Sequence, residues 1–269
     1  MTDHRHSKSA DTDSLVSRVT AETFVRSVEV HDEIGSTNDR ALALAGMPGV
    51  ERPCLIVARR QTAGRGRGAN RWWASDGALT FSLLLSLDRD RLPVARWPEL
   101  SLTIGTSVCR ALRPFAAAGD VRLKWPNDVY VAGRKICGIL VEIPSAAAEG
   151  VVVGVGLNVN NRIEDAPREL HSQATSLHDV VGHPCSPPDV LIAVLKSFEE
   201  HLNLLCDEPD QMRALWRAYD LLLGRSVTVG DEHDTVTGTC EGIDDDGALR
   251  VRSAAGPRRV YGGVVQRFA

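Results

Sequence analysis

The chain has 269 residues, of which 43% are apolar and 25% are charged, and its formal net charge is −4. This length allows one large domain with a hydrophobic core, or one large and one small domain. The composition is close to that of ordinary globular proteins and excludes a chain that is disordered throughout. The sequence lacks both the excess of Lys and Arg expected of a protein devoted to nucleic acid and the apolar run of about 18 residues that a membrane span needs.

The first 27 residues are polar and lack the apolar stretch of a signal peptide. We expect these residues to form a disordered tail and the protein to be cytoplasmic. The tail is also expected to be too short for a helix-turn-helix domain before the first strand. No CxxC pair and no Cys/His cluster at zinc spacing occurs among the six cysteines: Cys54, Cys109, Cys137, Cys185, Cys206 and Cys240. They are therefore interpreted as reduced thiols.

The folded part is predicted to start with a strand at residues 28–30. The polar segment 35–39 then provides a capping side chain for a helix over residues 40–45. Residues 54–58 and 78–87 are apolar runs of strand length. They are predicted as buried strands on either side of a loop rich in glycine and arginine.

A long helix is predicted over residues 97–118, where apolar residues recur at helical spacing. Residues 121–125 alternate as a strand, residues 126–128 interrupt it, and the strand resumes at 129–131. The apolar run 136–143 then returns from a turn, so this part of the chain is predicted to form a β-hairpin.

A further strand is predicted over residues 150–159, followed by helices over 189–205 and 211–223. Together these elements predict the α+β class, with a largely antiparallel mixed sheet and helices on one face. After Gly224 the sequence consists of short alternating runs separated by turns, which favours a small β-barrel. The predicted organisation is a tail at 1–27, a main domain at 28–223 and a small domain at 224–269.

Three polar residues stand where the first predicted helix begins. Ser36, Thr37 and Asn38 offer hydroxyl and amide groups to a carboxylate or amide ligand, and the helix start adds backbone N–H donors. An ordinary helix cap explains the same residues about as well. Gln61, which leads into the glycine-rich loop, is a further polar candidate.

The loop after the second predicted strand combines glycines with guanidinium groups. Gly64 and Gly66 let the backbone approach a ligand closely, and Arg65 and Arg67 can bind phosphate or carboxylate oxygens. A solvated charged turn is the alternative. The loop matches neither the P-loop, which needs Gly-Lys-Ser/Thr, nor the dinucleotide GxGxxG pattern, so phosphate binding by those routes is not expected.

Pro126 lies within a predicted strand, where it removes a hydrogen bond of the sheet, so its position calls for an explanation. The next residues, Asn127 and Asp128, can contact a base, a ribose or Mg²⁺-bound phosphates, and a bland turn is the alternative. Lys135 lies at the entry of an apolar strand, where an inward-pointing ammonium needs an anion. Between two reacting anions it would relieve their repulsion, and an exposed hairpin lysine is the alternative.

Five segments together resemble the biotin protein ligase family in their order and spacing, from about residue 28 to the C terminus. They are Gly35-Ser36-Thr37-Asn38, Gln61 with Gly64-Arg65-Gly66-Arg67, Lys124-Trp125-Pro126-Asn127-Asp128, Gly133-Arg134-Lys135 through Glu142, and Gly154-Val155-Gly156-Leu157-Asn158-Val159. In that family biotin and ATP form biotinyl-5′-AMP, and biotin is then transferred to one lysine of a carboxylase carrier domain. The resemblance implies a catalytic domain similar to class II aminoacyl-tRNA synthetases, an SH3-like C-terminal barrel, and a monofunctional ligase without a DNA-binding domain.

The resemblance also implies roles for individual residues. The implied biotin contacts are Ser36, Thr37, Asn38, Gln61, Arg65, Gly66, Arg67, Lys135 and Gly138. The implied contacts to ATP and the adenylate are Arg67, Trp72, Asn127, Asp128, Lys135 and Asn158, with Trp72 as an adenine platform. Lys135, Arg65 and Arg67 are the implied catalytic residues. ATP and biotin are the implied substrates, and Mg²⁺ is expected to be carried by the ATP phosphates.

The sequence departs from the family pattern at two places. Residues 68–70 read Gly-Ala-Asn, where many bacterial members carry a further basic-Gly-Arg segment, and Arg71 is a candidate substitute. Residues 262–264 lack an acidic residue that many relatives carry after the glycine. Their part in carrier docking or ATP binding stays open.

Two other functions fit parts of the sequence. Lipoate or octanoate attachment uses related chemistry and a related fold, but the Gly-Arg-Gly-Arg and Lys-Trp-Pro-Asn-Asp segments favour biotin. A biotin-responsive repressor needs an N-terminal DNA-binding domain in this family, and the polar tail is too short for one. The expected partners are therefore small-molecule substrates and a biotin carboxyl carrier domain, without DNA or membrane, for a monomer or a homodimer.

Overall fold

The computed structural model describes residues 3–116, 120–144, 150–230 and 234–268, with side chains from residue 11 onward. The helices in these ranges are α1 (Asp3–Glu22), α2 (Thr37–Ala45), α3 (Glu99–Leu112), α4 (Leu177–Val181), α5 (Pro187–Asp207) and α6 (Pro209–Tyr219). The strands are β1 (Ser27–Ile34), β2 (Cys54–Gln61), β3 (Ala78–Leu85), β4 (Val121–Lys124), β5 (Asp128–Val131), β6 (Arg134–Glu142), β7 (Val151–Asn158), β8 (Ser226–Gly230), β9 (Thr235–Ile243), β10 (Leu249–Ser253), β11 (Gly256–Val260) and β12 (Val264–Phe268).

Strands β1 to β7 form one sheet in the order β1-β2-β3-β7-β6-β5-β4. β1 and β2 are parallel, and the other neighbouring pairs are antiparallel. Parallel neighbours need a crossover connection, and α2 provides it. The predicted α+β class with a largely antiparallel mixed sheet is confirmed.

One face of this sheet is buried under the long helices. Side chains two residues apart on a strand share a face, and Val153, Val155 and Leu157 of β7 all belong to the main hydrophobic core. Ile104 of α3 and Phe198 of α5 belong to the same core and are fully buried. The apolar side chains whose spacing predicted these two helices are therefore the ones that pack against the sheet.

Helix α2 lies on the opposite face and covers only part of it. The Ser36 hydroxyl caps the helix by accepting a hydrogen bond from the Asp39 backbone N–H at 3.4 Å. Ala41 and Leu44 pack with Ile56 of β2 in a small second cluster. Beyond the N-terminus of α2, none of the described helices covers this face, and the candidate site lies there.

Strands β8 to β12 form a second, antiparallel sheet in the order β11-β10-β9-β8-β12. The short alternating runs that predict an all-β C-terminal domain correspond to these strands. The Leu221 backbone N–H donates to the Leu123 carbonyl at 2.9 Å, and Trp125 Nε1 donates to the Gly247 carbonyl at 2.9 Å. These bonds hold the second sheet beside β4, and closure of this sheet into a barrel stays a prediction.

The predicted disordered tail is wrong for residues 3–22, which form α1, while residues 1 and 2 lie outside the described residues. Val19 is fully buried, and Arg18 Nη1 lies 2.8 Å from Asp189 Oδ1 of α5. The rings of Phe24 and Phe198 meet edge to face at a centroid distance of 6.2 Å. The sequence did not reveal this helix because its few apolar residues find their partners only in the tertiary structure.

Residues 121–131 do not form one interrupted strand, as the sequence suggested, but an antiparallel hairpin of β4 and β5. Pro126 lies in the turn, where its missing N–H removes no bond of the sheet. The reversal pairs Lys124 with Asp128, which brings both side chains to the uncovered face. The helix predicted over 97–118 ends earlier, at Leu112, and residues 117–119 lie outside the described ranges.

Candidate active site

A pocket opens on the uncovered face of the seven-stranded sheet. The N-terminus of α2, the loop between β2 and β3, the β4–β5 turn and the start of β12 form its walls. Twelve of the thirteen residues predicted for the site line it: Ser36, Thr37, Asn38, Gln61, Arg65, Gly66, Arg67, Trp72, Asn127, Asp128, Lys135 and Gly138. Asn158 does not belong to this lining.

Three glycines make the floor of the pocket. Gly138 of β6 pairs with Gly156 of β7, and Gly154 lies two residues before Gly156 on the same face. A Cβ atom at Gly156 would lie 2.3 Å from Trp72 Cε2, and one at Gly154 would lie 2.0 Å from Asn38 Oδ1. The glycines are therefore needed because functional side chains lie directly on the sheet.

A chain of short hydrogen bonds connects the polar residues at one end of the pocket. Gln61 Oε1 accepts from the Thr37 backbone N–H at 2.7 Å and from its hydroxyl at 3.1 Å. The buried Ser82 hydroxyl lies 2.8 Å from Thr37 Oγ1 and 2.6 Å from Asn38 Oδ1. This end of the pocket offers a fixed set of donors and acceptors, which suits a neutral polar ring.

The loop between β2 and β3 folds back as a tight hairpin over the pocket. The Gly66 N–H donates to the Asn70 carbonyl at 2.8 Å, and the Trp72 N–H donates to the Gly64 carbonyl at 3.0 Å. Gly68, at a φ of 64°, adopts the left-handed conformation that the turn requires. The departure at residues 68–70 therefore has a local structural use in forming this turn.

Trp72 lies inside the pocket, over the floor. Its ring lies beside the Lys135 ammonium, with Nζ 6.0 Å from the ring centroid. Its indole N–H is buried and, among the described residues, has no hydrogen-bond acceptor. A flat ring with an unused donor in a ligand pocket is a suitable platform for a nucleobase.

Lys135 is positioned by the neighbouring strand. Its Nζ lies 2.6 Å from Asp128 Oδ1, and the side chain is one-third exposed. Asn127 holds the turn in place, since its Nδ2 donates to the Ile139 carbonyl at 2.7 Å. The anion that the sequence required beside Lys135 is thus a carboxylate of the protein in this structure.

Two further cations face the C-terminal segment. Arg67 Nη1 donates to the Gly263 carbonyl at 3.1 Å, and Lys124 Nζ donates to the Val265 carbonyl at 3.4 Å. Burial lowers the pKa of Arg67 and also that of Lys124. Both cations donate here to neutral carbonyl oxygens. A phosphate group would bind them more strongly, because its oxygens are charged acceptors.

Arg65 differs from Arg67 because carboxylates already surround it. Its Nη1 and Nη2 lie 2.9 and 2.6 Å from the two oxygens of Glu142, and Nη2 also lies 2.8 Å from Asp39 Oδ1. The hydrogen bond to Glu142 raises the pKa of Arg65 above its usual value. The loop is thereby tied to the end of β6.

Asn158 has a different position from the other predicted residues. Its Nδ2 donates to the Thr175 carbonyl at 3.0 Å, and its Oδ1 accepts from Asn161 Nδ2 at 3.0 Å. It is buried at 4% exposure and braces the chain that follows β7. Asn158 lies on the same face of β7 as Gly156, two residues further along the strand.

The sequence did not single out three residues of the site. Lys124 lines the pocket, and Ser82 and Glu142 are hydrogen-bonded to residues that line it. Ser82 lies within an apolar strand and Glu142 at the end of one. A polar residue in an otherwise apolar strand was the feature of the sequence that could have identified them. Lys124 belongs to one of the five family-like segments, but no role was predicted for it. Its pairing with Asp128 depends on the chain reversal at Pro126.

Among the described residues, no group of three or more His, Cys, Asp or Glu side chains is arranged to hold a metal ion. None of the described helices combines the length and apolar character that crossing a lipid bilayer requires.

The chain is similar to known proteins in sequence and in fold. A model of the family described as Biotin/lipoate A/B protein ligase family matches residues 31–158, and one described as Biotin protein ligase C terminal domain matches residues 222–267. The chain is 32% identical to the bifunctional ligase/repressor BirA of Bacillus subtilis over 235 residues, which cover 86% of this chain and 71% of that protein.

Two further proteins are similar to this chain over most of its length and most of their own. The chain is 35% identical over 227 residues to the biotin--[acetyl-CoA-carboxylase] ligase of Mycobacterium tuberculosis, covering 83% of this chain and 82% of that protein. The solved structure of the biotin protein ligase from Aquifex aeolicus in complex with biotin and ATP superposes with a TM-score of 0.77 and 30% identity, covering 91% of this chain and 98% of that one.

Proposed function

The chain belongs to the biotin/lipoate A/B protein ligase family, and we propose that it activates biotin with ATP to biotinyl-5′-AMP and then transfers biotin to a lysine of a biotin carboxyl carrier domain. The observation that carries the proposal is the convergence of separate sequence segments on one pocket. A polar network that suits a neutral ring, a group of cations and an aromatic platform all belong to this one pocket.

The polar end of the pocket suits the cyclic urea of biotin. A urea has one carbonyl acceptor and two N–H donors, and the network of Thr37, Asn38, Gln61 and Ser82 contains both donors and acceptors at fixed positions. Discrimination is strong where buried polar groups would otherwise stay unpaired. We therefore assign biotin binding to this end, with Ser36 as the cap that fixes the start of α2.

The first step joins two anions. A carboxylate oxygen of biotin attacks the α-phosphorus of Mg·ATP, a new C–O–P bond forms, the bond between the α- and β-phosphates breaks, and pyrophosphate leaves. Lys135 and Arg67 are the cations placed to stabilise the added charge, and fixed positions supply much of the remaining acceleration. No covalent enzyme intermediate is needed.

The adenylate half of the pocket is assigned to Trp72, Asn127 and Asp128. Trp72 presents a ring for the adenine, and Asn127 and Asp128 form the turn beside the phosphates. Asn158, assigned to the same half by the sequence, supports this region from the end of β7. Mg²⁺ prefers oxygen ligands and usually binds through phosphates with one or two carboxylates, so it enters the site as part of the ATP substrate.

The second step consumes a reactive mixed anhydride. The ε-amine of the carrier lysine attacks the acyl carbon, the bond to AMP breaks, and an amide forms. Water would hydrolyse the same bond, so the hairpin over the pocket, residues 64–72, serves to exclude it until the carrier arrives. Residues 28–223 are proposed as the catalytic unit, and the C-terminal sheet as the unit that closes the phosphate end.

The test is ATP-dependent incorporation of labelled biotin into a biotin carboxyl carrier domain. We expect one label per carrier lysine, with pyrophosphate released only when biotin and ATP are both present. The same assay with lipoate or octanoate in competition tests the alternative acid substrates. Absence of ATP-dependent labelling, or preferred use of lipoate, contradicts the proposal.

A further inference from the structure

Glu142 lies at the last position of β6, on the same face as Gly138 and the pocket. Both of its carboxylate oxygens are occupied. Oε1 accepts from Arg65 Nη1 at 2.9 Å, and Oε2 accepts from Arg65 Nη2 at 2.6 Å and from Asn38 Nδ2 at 2.8 Å. One side chain therefore joins the loop over the pocket to the polar network at its floor.

The arrangement requires a carboxylate. Two N–H groups of Arg65 and one of Asn38 all point at the same side chain, and only a group with two acceptor oxygens and no donor satisfies all three. A glutamine at this position has one acceptor oxygen, and its amide N–H₂ would face either Arg65 or Asn38. The side chain of Glu142 is 24% exposed, so water compensates only part of that loss.

The same bonds fix the orientation of the Asn38 amide. Its Nδ2 donates to Glu142 and, at 3.2 Å, to the Leu140 carbonyl, which leaves Oδ1 to accept from Ser82. If Nδ2 lost the carboxylate, the amide could rotate and present the wrong group to Ser82. Glu142 thus acts on the floor of the pocket and on the loop above it.

The terminal nitrogens of the Arg65 guanidinium are engaged by carboxylates of the protein while these bonds persist. Its Nη1 and Nη2 form the fork with Glu142, and Nη2 also reaches Asp39. Arg67, by contrast, donates to a neutral backbone carbonyl of the C-terminal segment. The two arginines of one loop are therefore placed for different tasks.

We propose that Glu142 is a positioning residue that latches the loop closed through Arg65 and orients Asn38, so that biotin and its adenylate are retained in the pocket. The proposal rests on the proposed function, because it assigns a cause to the retention of that intermediate. Arg65 then acts by holding the loop, while Lys135 and Arg67 face the reacting anions.

The test compares Glu142→Gln with the wild type in three measurements. These are the KM for biotin, the single-turnover rate of adenylate formation at saturating substrates, and the rate at which the enzyme loses or hydrolyses biotinyl-5′-AMP without a carrier. We expect about a tenfold higher KM and about a tenfold faster loss of adenylate, with the single-turnover rate within about threefold, as expected for loss of one charge-assisted bidentate contact.

Glu33→Gln is the matched control. Glu33 pairs with Arg60 at 3.4 Å on the outside of the sheet, where both side chains are more than half exposed. The Glu33→Gln substitution neutralises one carboxylate beside an arginine without changing the pocket. The KM for biotin, the single-turnover rate and the rate of adenylate loss should therefore stay within about twofold of the wild type. Asp39→Asn removes the outer partner of Arg65 and should give a smaller increase in adenylate loss than Glu142→Gln.

Arg65→Gln keeps the proposal testable if Glu142→Gln folds poorly. It should raise adenylate loss to the same extent, and the double variant should be no worse than either single variant, because both remove one latch. Wild-type KM and adenylate retention in either folded variant overturns the proposal, and so does a loss confined to the single-turnover rate. A wild-type enzyme that forms no adenylate instead contradicts the proposed function itself.

Discussion

The two faces of the seven-stranded sheet are built from the same strands but serve different purposes. On β7, Val153 and Val155 are buried under the long helices, whereas the alternating Gly154 and Gly156 form the floor of the pocket. The strand period of two points their side chains to opposite faces, although the backbone of β7, Val155 included, runs along the pocket. One face stabilises the protein through apolar burial. The other has glycines, whose missing side chains allow Asn38 and Trp72 to lie against the backbone.

This separation means that adjacent residues should give opposite phenotypes. Substitutions on the pocket face should impair the reaction and leave the free energy of unfolding nearly unchanged. Substitutions on the covered face should destabilise the fold and leave the activity of the folded fraction nearly unchanged. The separation fails if both kinds of substitution affect both properties to similar extents.

The largest effect is expected for Lys135→Ala on the pocket face. Loss of the ammonium beside Asp128 removes charge stabilisation from the reacting carboxylate and phosphate, so adenylation should slow by about 10²- to 10³-fold. Pyrophosphate release measures this rate. Lys196→Ala, at an exposed pair with Glu22, is the control and should leave it unchanged. Near-normal adenylation by Lys135→Ala would remove the electrostatic role assigned to this lysine.

Gly156→Ala should have the next largest effect. The new methyl group would lie 2.3 Å from Trp72 Cε2, so the indole must leave the floor. Because stacking of a base on an aromatic side chain contributes about 1–3 kcal/mol, the KM for ATP should rise by about tenfold to hundredfold. Steady-state kinetics and the melting temperature should be measured together. A large fall in melting temperature with an unchanged KM would contradict the assignment of this face.

Val155→Ala changes the adjacent residue on the covered face. Val155 is 3% exposed and lies opposite Phe81 and Ile139 in the sheet. Removing two buried methyl groups should cost about 2 kcal/mol of unfolding free energy, including the cavity that remains. Urea denaturation measures this cost. The KM for ATP should stay within about twofold of the wild type, and a tenfold change would show that the two faces are coupled.

The smallest effect concerns pH and the helix layer. His201 is buried, hydrogen-bonded through Nδ1 to the Ser107 hydroxyl at 2.9 Å, and burial together with Arg110 lowers its pKa to about 4. Its pKa in the unfolded chain is about 6.5, so the unfolded chain binds the proton more tightly. Neutral His201 therefore contributes stability that is fully present above about pH 6.5 and is lost as the pH falls toward 4.

His201→Gln removes this titration. The difference in unfolding free energy between variant and wild type should change by an amount on the order of 1 kcal/mol between pH 7 and pH 5, in the direction that favours the variant at low pH. Asp220, whose pKa burial raises to about 6, has the opposite pH dependence, but it is common to both proteins. Denaturation at several pH values measures the difference, and a constant value would show that His201 does not titrate in this range.

The sequence predicted most of this site because its residues stand in short, recognisable segments. Ser36 to Asn38 and Arg65 to Arg67 each occupy consecutive positions, and the sequence predicts the strand over residues 150–159 directly. Glu142, by contrast, stands out in the sequence only as the end of a strand. A charged residue at a strand end is usually a solvated one, and its partner Arg65 lies 77 positions away. The helical form of residues 3–22 was missed for the same reason, since Val19 is buried by other parts of the chain.

Local sequence determined most of the strands, the helices α3, α5 and α6 and the kind of chemistry that the pocket carries, since these depend on spacing along the chain. The tertiary structure alone decided which charges meet. It paired Lys135 with Asp128 through the reversal at Pro126, joined Arg65 to Glu142, and placed the C-terminal segment against Arg67. Electrostatic and hydrogen-bond energies depend on distances of a few ångströms, and such distances between remote residues are set only when the chain has folded.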